Sequence, residues 1–194
     1  MTELTRTDAN RHLVERLRGG DQQALALLFA EYYGPLCLFV QRYVDDVAAA
    51  EDLVQNVFIR LWKHRTELNA ETTLVAYLHA AARNAALNHL RNETRYQRRV
   101  AAARDEQDWQ GSDMASDGSV YDPNVARDVR RAAVLQAAET LPPRCRDVFL
   151  LRWQQELTYA EIASVLEISV KTVEMQMTIA VKRIRLYVTK LLAQ

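Results

Sequence analysis

The sequence predicts an all-α fold, two helical domains joined by a flexible linker, and three observations carry that prediction. Apolar residues recur at i, i+3, i+4 and i+7, as in Val54, Val57, Phe58 and Leu61, and sustained period-two alternation is missing. Glycine is scarce, with 5 in 194 residues, and no Asn-Gly hairpin turn occurs. Between residues 104 and 123 the composition turns to Asp, Ser and Gly with almost no aliphatic side chains. That stretch cannot bury enough apolar surface to offset its ordering entropy, so it reads as the linker.

A first helix ends at Gly19-Gly20, and Asp21 then stands where an N-cap belongs, able to accept the free amide hydrogens of a helix over residues 22–33. Pro35 restarts the chain into a further helix over 35–44. The helix expected over 48–64 carries the stripe Val54, Val57, Phe58 and Leu61, which leaves Asp52, Gln55, Asn56 and Arg60 outside it. A polar loop, HRTELNAETT, leads into a helix over 74–99. Beyond the linker, 124–140 is helical, Leu141-Pro142-Pro143 breaks the chain, and 144–154 forms the next helix. Thr158 and Glu161 have the spacing of a capping box opening a short helix over 159–166, and Ser169 caps a last helix running towards 192. Two helices joined by so short a turn are the helix-turn-helix signature.

The 25 basic and 25 acidic residues cancel, but not locally. Residues 1–96 hold 11 basic and 12 acidic side chains, 97–127 hold 4 and 6, and 128–194 hold 10 and 7, so only the last third is basic as a whole. Asp45, Asp46, Glu51 and Asp52 form an acidic block suited to a protein partner with basic residues, whereas residues 83–99 carry five arginines against Glu93 alone. One acidic and two basic faces point to more than one macromolecular partner. No apolar run approaches the roughly 18–20 residues of a membrane span, and the charged opening lacks a secretory apolar core. A cytoplasmic protein, not itself membrane-embedded, is expected. Cys37 and Cys145 stand far apart without CxxC or paired-His spacing, so both read as small buried apolar residues.

On the last helix, Val173, Met177, Ala180 and Ile184 fall on one face, and Lys171, Glu174, Met175, Thr178, Lys182 and Arg185 on the other. The outer face suits a major groove: Glu174 accepts from a cytosine amino group, Thr178 or Met175 touches a thymine methyl, and Lys182 and Arg185 meet phosphates. In the first domain Asn84, Asn88, Arg91 and Arg95 recur on one helix face, amides and guanidinium groups that suit bases and phosphates together. No Gly-rich phosphate loop, GxSxG or HExxH occurs, and the four histidines are scattered, so the expectation is a protein that is not an enzyme and needs no cofactor or metal.

AEDLVQNVFIRLWKHRTEL with VAYLHAAARNAALNHLR resembles domain 2 of the sigma-70 family, and LPPRCRDVFLLRWQQELTYAEIASVLEISVKTVEMQMTIAVKRIR resembles its domain 4. Two such domains with a short acidic linker are similar to the extracytoplasmic-function (ECF) sigma factors. The resemblance implies sigma domain 2 over residues 1–99, a linker over 100–127 and sigma domain 4 over 128–194. It also implies a subunit that binds core RNA polymerase and directs promoter recognition and opening. Carried over, Asp52, Gln55 and Asn56 match the docking positions for the beta-prime clamp helices. The loop over 69–75 and the face Arg83, Asn84, Asn88 and Arg91 match the reader of minus-ten promoter DNA. Lys171, Glu174, Met175, Thr178 and Lys182 match the minus-35 reader, and the rest of domain 4 resembles the part that meets the beta flap. SVKTVEMQ is similar to groups paired with an anti-sigma factor. This chain departs from the family in Asn56, where an acid is usual, in Glu167, where the turn often has Gly, and in Gln176 and Ile179, at commonly basic positions. The competing expectation is a LuxR-like helix-turn-helix regulator that binds operator DNA without polymerase; LTYAEIASVLEISVKTVE alone fits both.

Overall fold

The computed structural model describes residues 2–69, 73–102 and 125–192, with side chains described over 8–69, 73–95 and 132–189. Among these residues there are eight α-helices, one 3₁₀ turn and no strand. The helices are α1 (Thr2–Arg18), α2 (Gln22–Val40), α3 (Val47–Lys63), α4 (Leu74–Ala102), α5 (Val125–Glu139), α6 (Pro143–Trp153), α7 (Tyr159–Leu166) and α8 (Val170–Leu192), with the 3₁₀ turn at Arg65–Glu67. They group into two compact units, Met1–Tyr96 with Leu157–Val170, and Gln97–Glu156 with Lys171–Gln194. Helix α4 runs to Ala102 and α5 starts at Val125, so both ends of the expected linker are helical; its middle lies outside the described residues.

In the first unit the α1–α2 corner follows from local chemistry. Gly20 takes φ +81°, a conformation that favours glycine. Asp21 then accepts from the amides of Gln23 at 2.9 Å and Ala24 at 3.2 Å, while Arg16 Nε donates to its other oxygen at 2.8 Å. The hydrogen bond from Arg16, reinforced by the Ala24 amide, holds the Asp21 carboxyl below its ordinary range.

Two expectations about α2 are corrected. The chain does not restart at Pro35: α2 is one helix through it. Proline removes one backbone donor and crowds the carbonyl four residues earlier, at Glu31. Both Glu31 and Pro35 lie on the solvent-exposed side, where the lost backbone bond costs least, and Leu28, Leu36, Phe39 and Val40 bury the other side and hold the helix together. Nor is the chain without a long apolar stretch, because α2 is by length and composition able to cross a membrane. Here it packs chiefly on α3 and α1, with Ala24, Leu28, Leu36, Cys37, Phe39 and Val40 buried.

Asp46 caps α3 by accepting from the Ala48 amide at 2.9 Å, and Val54, Val57, Phe58 and Leu61 are buried as the stripe requires. The loop after α3 tightens into the 3₁₀ turn, where Arg65 lies over the Trp62 ring and donates to the Trp62 carbonyl at 2.9 Å. Helix α4 takes its first cap from far away: Asn10 of α1 accepts from the Leu74 amide at 2.9 Å. Thr73 adds a local bond, accepting from Ala76.

Helix α7 opens with the expected capping box: Thr158 Oγ1 accepts from the Glu161 amide and Glu161 accepts from the Thr158 amide at 2.7 Å. It ends at Glu167 in the left-handed region, φ 55° and ψ 46°. In the second unit, Arg146 ties α6 to the end of α5, donating to the Glu139 carbonyl and pairing with its carboxylate at 3.0 Å. Val173, Met177, Ala180 and Ile184 of α8 are buried, as are both cysteines.

Candidate functional site

On α3 the buried stripe turns Asp52, Gln55 and Asn56 to solvent, and all three are exposed. The acidic block is exposed as well, but its members differ: the Asp46 carboxylate is engaged as the α3 cap, which leaves Asp45, Glu51 and Asp52 as the outward acids. Beside this face lies an aromatic series that sequence reading missed. Phe58 in the core meets Phe29 edge-on at 4.9 Å, and Phe29 stacks on Tyr33 at 4.6 Å. The Tyr33 hydroxyl accepts from Gln55 Nε2 at 3.5 Å. The available signal was the i,i+4 spacing of Phe29 and Tyr33.

On α4, Asn84, Asn88, Arg91 and Arg95 are all exposed, and Arg91 donates to the Asn88 carboxamide at 3.4 Å, one turn away. Arg83 differs from them. Its side chain is only 18% exposed and sits 3.8 Å from the Glu167 carboxylate, within the same compact unit. The stripe therefore presents two amides and two guanidinium groups to solvent, with Arg83 at its margin. Of the loop over 69–75, Asn69 is exposed, and residues 70–72 lie outside the described residues.

On α8, Lys171, Glu174, Met175, Thr178, Lys182 and Arg185 are exposed on the face opposite the buried stripe. Thr178 Oγ1 donates to the Glu174 carbonyl at 2.9 Å, so its hydroxyl is engaged with its own helix. Gln176 is half-buried and accepts from the Cys145 thiol of α6, so it serves packing inside the unit. Ile179, 37% exposed, keeps its place at the margin of the outer face. Burial pushes both cysteine thiols up in pKa, so neither is a reactive thiolate.

The described residues thus offer an acidic face on α3, a polar stripe on α4 and an exposed outer side on α8, a combination suited to binding both DNA and a protein partner. The family model for sigma-70 region 2 matches residues 28–96 and that for sigma-70 region 4 matches 131–184, and the chain belongs to the sigma-70 family. More particularly it groups with the ECF sigma factors. It is 29% identical over 167 residues to the RNA polymerase sigma-H factor of Pseudomonas aeruginosa, covering 86% of each chain. It is 28% identical to the ECF RNA polymerase sigma-E factor of Escherichia coli K12, covering 83% of this chain and 84% of that one. Among solved structures the fold is similar to CnrH in complex with the cytosolic domain of CnrY, with a TM-score of 0.57, 20% identity, and 94% and 99% of the two chains covered. It is also similar to RpoE in complex with the anti-sigma factor NepR from Bartonella quintana, with a TM-score of 0.56, 18% identity, and 84% and 96% covered.

Proposed function

We propose that this ECF sigma factor docks on the beta-prime clamp helices of core RNA polymerase through Asp52, Gln55 and Asn56 of α3. The α4 face Arg83, Asn84, Asn88 and Arg91 meets the minus-ten element as it opens, and α8 reads the minus-35 element through Lys171, Glu174, Met175, Thr178 and Lys182. One observation carries this division: on α3, α4 and α8 the apolar stripe is buried and the polar stripe exposed, with Arg83, 18% exposed beside Glu167, the one member of the three faces that is partly engaged within the fold. The chemistry of RNA synthesis belongs to the core enzyme, and this chain contributes recognition without catalysis of its own, in the cytoplasm where promoters are.

The LuxR-like reading is not favoured, since region 2 occupies the part of the chain where such a regulator would carry its sensing domain. An anti-sigma partner is supported by the two similar structures, one a complex of CnrH with the cytosolic domain of CnrY and the other of RpoE with the anti-sigma factor NepR.

The test is equilibrium binding to purified core polymerase, followed by run-off transcription on a promoter library. Asp52→Ala combined with Gln55→Ala removes charge-assisted contacts but opens no core cavity. Affinity should fall about ten- to hundredfold with helicity unchanged. Unchanged affinity of the folded double variant counts against the docking assignment.

A further inference from the structure

A glutamine on an exposed helix face ordinarily samples several rotamers, so the orientation of its carboxamide is undefined until something fixes it. Gln55 is not left in that state. Its Nε2 donates to the Tyr33 hydroxyl at 3.5 Å across the α2–α3 contact. The phenolic oxygen has lone pairs to accept this bond whichever way its own proton turns. The ring itself is held by Phe29, stacked at 4.6 Å with planes 23° apart, and Phe29 is in turn set edge-on against buried Phe58 at 4.9 Å. A continuous series of contacts therefore runs from the core of the first unit to the surface carboxamide.

We infer that Tyr33 is a positioning residue for partner docking: its hydroxyl fixes the Gln55 carboxamide with the nitrogen turned inward and the carbonyl oxygen turned out beside Asp52. The inference rests on the reading of Asp52 and Gln55 as the core-polymerase docking face and adds to it the orientation that face requires. Asp52 and Gln55 are i,i+3 neighbours, so the carboxylate and the outward carbonyl form one patch of acceptors. An acceptor patch takes a partner that presents donors, a helix carrying Arg, Lys or amide N–H groups. Phe29, 38% exposed at the same edge, supplies an apolar contact for the stems of such side chains.

Tyr33→Phe keeps the ring stack and removes only the oxygen. In the full chain, its affinity for purified core polymerase should fall about three- to tenfold, the effect of one neutral hydrogen bond, with the thermal transition unchanged. Because the hydroxyl acts through Gln55, the loss should vanish when Tyr33→Phe is added to Gln55→Ala. That coupling separates positioning from a general packing role, which would move the melting temperature instead. If Gln55→Ala weakens binding while Tyr33→Phe does not, or if the two losses add, the positioning role is overturned and the docking face stands. If Asp52→Ala and Gln55→Ala both bind as the unaltered chain does, the docking reading fails and this inference with it.

Discussion

His79 Nδ1–H donates to the carbonyl of Val75, one turn earlier in α4, at 2.9 Å, and this bond orients the ring of a buried histidine and places the proton of its neutral form on Nδ1. The ring faces Phe39 at 5.2 Å, and the Arg42 guanidinium lies over the other part of that aromatic pair, 4.7 Å from the Phe39 centroid. Burial is the main reason the imidazole titrates at about 4; the Val75 bond opposes the shift and the Arg42 charge adds to it.

The folded value lies below the unfolded one of 6.5, so the stability of the neutral core is fully present above pH 6.5 and is lost as pH falls towards 4. The loss amounts to roughly 3 kcal/mol over that window. His79→Leu should remove this slope in denaturant titrations run between pH 4 and 7. An unchanged slope in the variant would assign the acid sensitivity elsewhere.

Glu167 ends α7 at φ 55°, where a side chain costs roughly 1–2 kcal/mol that glycine avoids, less the extra chain entropy glycine loses. Its ion pair with Arg83 is 3.8 Å long and the Glu167 side chain is 65% exposed, so that contact offsets little. Glu167→Gly should therefore raise stability by about 0.5–1 kcal/mol. A lower melting temperature would show that the carboxylate outweighs the backbone.

Thr158→Ala removes the acceptor for the Glu161 amide and one half of the α7 capping box. Stability should fall by about 1 kcal/mol. Thr158→Ser, which keeps the oxygen, should recover most of it, read from urea midpoints of the three proteins.

Glu174 projects from the first turns of α8, so Glu174→Ala should relax selectivity at one or two minus-35 positions, each by about 1–3 kcal/mol. Asn84→Ala and Asn88→Ala should instead impair strand opening at minus-ten. Selection on randomised minus-35 sequences and permanganate footprinting of the bubble separate the two. A change of minus-35 preference in Asn84→Ala would break the division between the helices.

What the sequence by itself determined was everything whose cause is local. Helix identity on α3 and α8 followed from stripes such as Val54, Val57, Phe58 and Leu61, because burial of a 3.6-residue period is decided within one helix. The caps at Asp21 and Thr158 were legible because their partners lie two or three residues away. Exposure of Asp52, Gln55, Asn84 and Glu174 followed from the same stripes read from the other side.

The tertiary structure alone decided the remainder, and in each case the partner is distant in sequence or the competing force is burial. Proline signalled a break at residue 35, but apolar contacts on the buried side of α2 outweigh one missing backbone bond. Asn10 caps α4 from 64 residues away, and Gln176, at a commonly basic position, accepts instead from Cys145, 31 residues distant, pairings that no periodicity encodes. Arg83 and Asn84 are neighbours in the chain, yet the 100° step of the helix exposes the amide and sets the guanidinium beside Glu167. Whether a polar side chain meets solvent, a cap or a carboxylate depends on what the assembled chain brings within about 3–4 Å of it, the reach of a hydrogen bond or ion pair.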